Sequence, residues 1–220
     1  TQGVSSAASD VYKRQISCFL FYNLKIMKKL NALLLLNFMI LSISAQETTM
    51  SIDTQSSSLN WIGKKITNSQ HNGSLKFVSG DLTMCTDKNT SKTTICKGSF
   101  VVDMTTLLVE DLTGSSKQRL EGHLKSDDFF SVDKHQKAFL SINSSKTIES
   151  GFSVKGSLTI KDIAHPVEFE FIRSAGGFTA NMIFDRSKYD VKYNSGSFFE
   201  NLGDRLILDD IELSADLYFQ

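Results

Sequence analysis

Proline is almost absent from this 220-residue chain, where Pro166 stands alone against sixteen phenylalanines. That balance points to aromatic-rich strands and away from a helical bundle. Cysteine is scarce as well, with three in all, and none lies with a histidine at a spacing that completes a four-ligand metal site. The four histidines, His71, His123, His135 and His165, are scattered, and His-Glu-x-x-His is missing, so no metal is expected. Gly-x-Ser-x-Gly is also missing, which leaves no displayed nucleophile; Asn194-Ser195-Gly196-Ser197 reads as a turn. No excess of basic charge exists to hold a phosphate backbone, which excludes nucleic acid as a partner.

Long hydrophobic runs are missing but for one. Met27-Lys28-Lys29 leads into Ala32–Ile43, an apolar run broken by Asn37, and small residues follow at Ser42, Ser44 and Ala45. A spanning helix needs roughly 20 apolar residues, so this shorter run reads as a signal peptide over 27–45, cleaved after Ala45. No cysteine sits at the cleavage point, which argues against a lipid-modified export form. Residues 1–26 precede the start methionine and are taken as an upstream extension, outside the folded domain. The expected mature domain is 46–220, in the periplasm or secreted. Removing Lys13, Arg14, Lys25, Lys28, Lys29 and Asp10 from totals of 24 basic and 24 acidic residues leaves 19 and 23, a net charge of −4. Such a domain has no steering toward anionic headgroups.

From Ser51 on, short alternating runs are separated by Gly, Asn, Asp and Ser, the pattern of a sandwich or barrel. Phe152, Val154, Leu158 and Ile160 share one parity, as do Val167, Phe169 and Phe171. Phe178, Ala180, Met182 and Phe184 form a third set, and Ile211, Leu213, Ala215, Leu217 and Phe219 a fourth. Gly156 marks a bend or a close approach. Earlier strands are expected at 59–67, 74–84, 93–103 and 138–144, making about eight, the size of barrel that is either filled by side chains or holds one small ligand. Thr105–Phe130 does not alternate; its leucines suggest a helix capped by Ser115 or Ser116 and running to about Lys125, and a second helical turn is expected at 198–202. Both are expected to cover an opening.

Cys85 and Cys96 flank a polar turn that, centred between Thr90 and Ser91, places them opposite each other, so a disulfide is expected. His123 lies among carboxylates in Glu121–Asp128 and reads first as a helix-end histidine, with a headgroup contact as the other reading. Arg186 is read as a partner of Asp185 or of a ligand headgroup. Asp209-Asp210 reads as a pair of solvated carboxylates, since the spacing of a calcium loop is missing.

Taken in order, six runs resemble the YceI-like family, also called polyisoprenoid-binding, lipocalin-like proteins. They are Leu59–Lys65 with His71-Asn72-Gly73, Gly98–Thr105, Leu120–Phe130, Val154–Lys161, Phe184–Val191 and Leu202–Ile211. The resemblance covers nearly the whole mature region. It implies an all-β, eight-stranded antiparallel lipocalin-like barrel with one or two short helices at its mouth, and an elongated cavity for an isoprenoid, quinone or fatty-acyl chain. Homodimerisation and residence in the periplasm also come with it. Two departures stand out: Gln136 replaces a proline, and Asn68 replaces a glycine but tolerates the left-handed turn.

The leading expectation is a carrier for a long apolar molecule, with no cofactor and with transient contact to a membrane or to lipid donor and acceptor proteins. Its lining would be Phe77, Phe100, Leu140, Leu158, Ile160, Phe169, Phe171, Met182, Phe184, Ile211 and Leu213. An enzyme acting on a lipid or quinone and a filled-barrel stress-response protein are the alternatives. A hollow interior separates the first from the last.

Overall fold

A computed structural model of the chain describes residues 46–220. The expected extension at 1–26, the leader at 27–45 and Cys18 lie outside the described residues. The elements are β1 (Gln46–Ser51), β2 (Ser58–Lys65), β3 (Gln70–Thr86), β4 (Thr93–Val109), α1 (Gly114–Lys125), β5 (Lys137–Thr147), β6 (Gly151–Ile160), β7 (Ile163–Ser174), β8 (Gly177–Asp185) and β9 (Ile207–Tyr218).

Strands β2 to β9 form a closed antiparallel barrel: β3 pairs with β4, the chain meanders to β9, and β9 returns to β2. Eight staves close the ring, as the alternation predicts. β1 adds no ninth stave. It faces Asp81–Thr86 on the same edge of β3 where β2 faces Gln70–Leu75, so two short strands share one position. Its exposed polar residues carried no alternation to reveal it.

Inward parity follows the sequence closely. Phe152, Val154, Leu158, Ile160, Phe169, Phe171, Ala180, Phe184, Ala215 and Leu217 are buried, while Glu168, Glu170 and Asp216 stay outside. Gly156 is a close approach: a Cβ there would come within 2.2 Å of the Ser141 carbonyl oxygen. Asn68 takes φ 63°, the left-handed turn expected of it. Lys161 and Asp162, at φ 51° and 61°, make the two-residue turn between β6 and β7.

Several local readings are corrected. Thr105–Val109 is strand, because β4 continues through a bulge: Lys76 faces Asp103 and Ser74 faces Leu108, so four residues of β4 oppose Leu75 alone. The bulge breaks the period of two and turns both Met104 and Leu107 inward, which mimics helical spacing. α1 begins at Gly114, with Thr113 in the cap position, and Ser115 and Ser116 lie inside its first turn. No helix forms at 198–202; Ser195 closes a turn by accepting from the Phe198 and Phe199 amides, and a 3₁₀ turn follows at Gly203–Arg205.

Cys85 and Cys96 are bonded, with Cα atoms 5.8 Å apart. They are not directly opposed. Cys85 faces Thr94, and a register shift between Thr83 and Met84 leaves Cys96 as the extra residue, so the bulge carries the sulfur across. The disulfide hairpin belongs to one end of the barrel; α1 and the irregular segment 186–206 belong to the other.

Candidate functional site

The barrel interior is hollow in two places. Toward the hairpin end lies a chamber of about 80 Å³ whose wall presents no polar surface. Of the expected lining residues, Phe77, Phe100, Leu140, Leu158, Phe169, Phe171, Met182 and Leu213 surround it. Beyond it the barrel is filled. Phe178 stands with its ring centroid 6.0, 5.7 and 6.1 Å from Phe152, Phe171 and Phe219, and this aromatic group plugs the hairpin end.

The second chamber, about 470 Å³, lies under α1 at the other end, within the size range of ligand pockets. Leu120 and Leu124 of α1 form part of its roof, and Trp61, Phe129 and Ile211 part of its walls. Leu75 lines this chamber and Leu213 the inner one, and both pack against all three apolar clusters of the domain. These two leucines therefore stand where the chambers approach each other.

Ile160 and Phe184 line neither chamber. They pack instead with Met104, Ala138 and Tyr189 in the wall, because the 3₁₀ turn Arg186–Tyr189 folds Tyr189 back over the end of β8. Burial, with the Asp185 carboxylate nearby, pushes the Tyr189 phenol up to about 12.

Arg186 is completely buried and lines the outer chamber. Its Nε donates to the Leu208 carbonyl at 3.3 Å, Nη1 to Val191 at 3.2 Å and Nη2 to Ile207 at 3.1 Å. Nη2 also stands 3.2 Å from Asp209 Oδ1. Asp185, the partner expected from sequence, instead accepts from the Ser187 amide at 2.9 Å. Asp209 is not solvated: its Oδ2 accepts from Ser195 Oγ at 2.8 Å and Ser197 Oγ at 2.7 Å. Burial draws the guanidinium below its ordinary value, and the carboxylates of Asp209 and Asp185 oppose that shift. With its donors largely committed, Arg186 ties segment 186–197 to the start of β9 and has little left for a headgroup.

His123 faces the same chamber from α1. Its Nε2 stands 3.4 Å from Asp128, and its ring meets Tyr193 and Phe129 edge-on at 4.4 and 5.0 Å. At the rim, His71 Nδ1 lies 2.7 Å from Asp111. Burial raises the Asp111 carboxyl, but bonds from His71 and the Asn72 amide outweigh it and hold the group below its usual range.

Sequence reasoning did not single out Trp61, Phe129 or Tyr193 as lining. Trp61 had a usable signal, since it shares the parity of the buried Leu59. Phe129 and Tyr193 had none, because they reach the chamber from irregular segments.

A family model described as YceI-like domain matches residues 50–219. No curated protein matches the chain by sequence. Among solved structures, BcnA of Burkholderia cenocepacia is similar at a TM-score of 0.52 and 14% identity, over 76% of this chain and 98% of that one. A polyisoprenoid binding domain from Saccharophagus degradans, implicated in plant cell wall breakdown, is similar at 0.49 and 13%, over 78% and 97%. The Campylobacter jejuni YCEI protein is similar at 0.45 and 17%, over 66% and 82%.

Proposed function

Since the chain belongs to the YceI-like family, we propose that it is a binding protein that holds an apolar chain lengthwise in its barrel, for transport, storage or sequestration. The ligand class is an isoprenoid, an isoprenoid quinone or a fatty-acyl chain. The observation that carries this reading is the hollow beneath α1 together with an inner chamber whose wall is wholly apolar. Each methylene buried there contributes about 0.8 kcal/mol, less the entropy of association and of ordering the chain. Export by the leader at 27–45 belongs to the same proposal, and the Cys85–Cys96 disulfide suits an oxidising compartment. Catalysis does not: the buried arginine is committed to carbonyls and to Asp209, as a structural tie would be.

Ligand competition across a series of alkyl chain lengths tests the reading. Affinity is expected to rise with chain length, and Leu213→Asp is expected to abolish binding by placing an unpaired charge between the chambers. Circular dichroism of the variant checks that the barrel survives. Binding indifferent to chain length, or turnover of bound lipid that stops in His123→Ala while binding persists, would overturn it.

A further inference from the structure

Three buried side-chain atoms among the described residues have no hydrogen-bond partner: Trp61 Nε1, His135 Nδ1 and Asp209 Oδ1. Two of them still have an opposite group at hand. His135 Nδ1 is 2.8 Å from Asp162, and Asp209 Oδ1 is 3.2 Å from Arg186. Trp61, a residue 8% exposed, forms part of the outer chamber's wall, and its indole N–H has no acceptor. A buried N–H left without an acceptor is rare in folded proteins and calls for a reason.

Four of the other polar side chains around that chamber are engaged by partners of their own. Lys64 pairs with Glu212, His71 with Asp111, His123 with Asp128, and Arg186 with three carbonyls and Asp209. The indole is also held in place. Trp61 sits across from Gly73 on β3, and a Cβ at Gly73 would come within 2.8 Å of Trp61 Cζ2, so the missing side chain makes room for the ring. Thus a fixed, unsatisfied donor belongs to the outer chamber, whereas the inner chamber offers no polar surface at all.

We propose that the ligand carries an oxygen acceptor at one end, that Trp61 Nε1–H donates to this oxygen in the outer chamber, and that the apolar chain runs inward past Leu75 and Leu213. This rests on the carrier reading and adds to it a head-first polarity and a class: lipids ending in a carbonyl, hydroxyl or ether oxygen, over pure hydrocarbon. Trp61 is then the residue that sets head-group specificity.

The test pairs a long-chain methyl ketone with the alkane of the same carbon count, in competition against a fluorescent fatty-acyl probe. The unmodified protein is expected to prefer the ketone by roughly ten-fold, the value of one neutral hydrogen bond. Trp61→Phe keeps an aromatic ring and removes the donor, so it is expected to erase that preference, bringing the ketone down to the affinity of the alkane. Because Trp61 is the only tryptophan in the chain, its indole proton resonance gives a second readout that needs no variant: the ketone should shift it and the alkane should not. A preference that survives in Trp61→Phe, an equal loss for both ligands, or an indole proton blind to the ketone overturns the assignment. Failure of the unmodified protein to bind either molecule overturns the carrier reading itself, and the two failures are thereby told apart.

Discussion

The two ends of the barrel solve opposite problems with the same strands. At the hairpin end, Phe152, Phe171, Phe178 and Phe219 interlock, Leu82 and Ile95 are buried, and a disulfide ties β3 to β4. At the α1 end the strands stop around a 470 Å³ hollow, roofed by α1 and by an irregular segment pinned by Arg186 and Asp209. One end is packed to its limit and holds the fold; the other trades packing for space. Around the larger chamber, polar ties hold segments that have few apolar contacts of their own.

Substitutions should separate the ends. Phe171→Ala at the plugged end is expected to lower stability by about 3 to 5 kcal/mol in urea unfolding. Arg186→Met should come close to that, about 3 to 5 kcal/mol, because it strands Asp209 and three carbonyls in the interior; it should also loosen segment 186–206, read as faster amide exchange there. If Arg186→Met left stability unchanged, the polar ties would not be what holds the open end.

Removing the Cys85–Cys96 bond is expected to cost about 2 to 3 kcal/mol for so short a loop, with ligand affinity unaltered. Reduction followed by a binding titration checks it, and a loss of affinity would show that the two ends are coupled. Leu120→Ala, in the roof of the hollow, should do the reverse: weaker binding, with a smaller stability change than Phe171→Ala because its neighbours already face open space.

The smallest expected effect is a pH dependence. Tyr189 titrates at about 12 in the folded barrel against 10.0 ordinarily, so its neutral form is favoured by folding. That stability is fully present below about 10 and is lost as pH rises through about 12. Tyr189→Phe should therefore flatten the fall in stability on the alkaline side, measured by urea unfolding across that window.

The eight staves of the barrel, their inward parity and the disulfide partners were legible in the sequence, because a period of two and the positions of turn residues are local properties. Phe169, Phe171 and Leu213 could be named as interior on that basis alone. Only the closed barrel decided which interior residues meet empty space: Ile160 and Phe184 have the same parity as Leu158 and Met182, yet Tyr189 folds over them and fills their share of the volume. Nor could the sequence pair Arg186 with Asp209 or carry Phe129 to the chamber, since both depend on where irregular segments come to rest. The unpartnered state of Trp61 is likewise visible only when every neighbour has been placed. Alternation tells a side chain which face to take; cavities and orphaned donors are sums over all the neighbours that the ring, once closed, brings within reach.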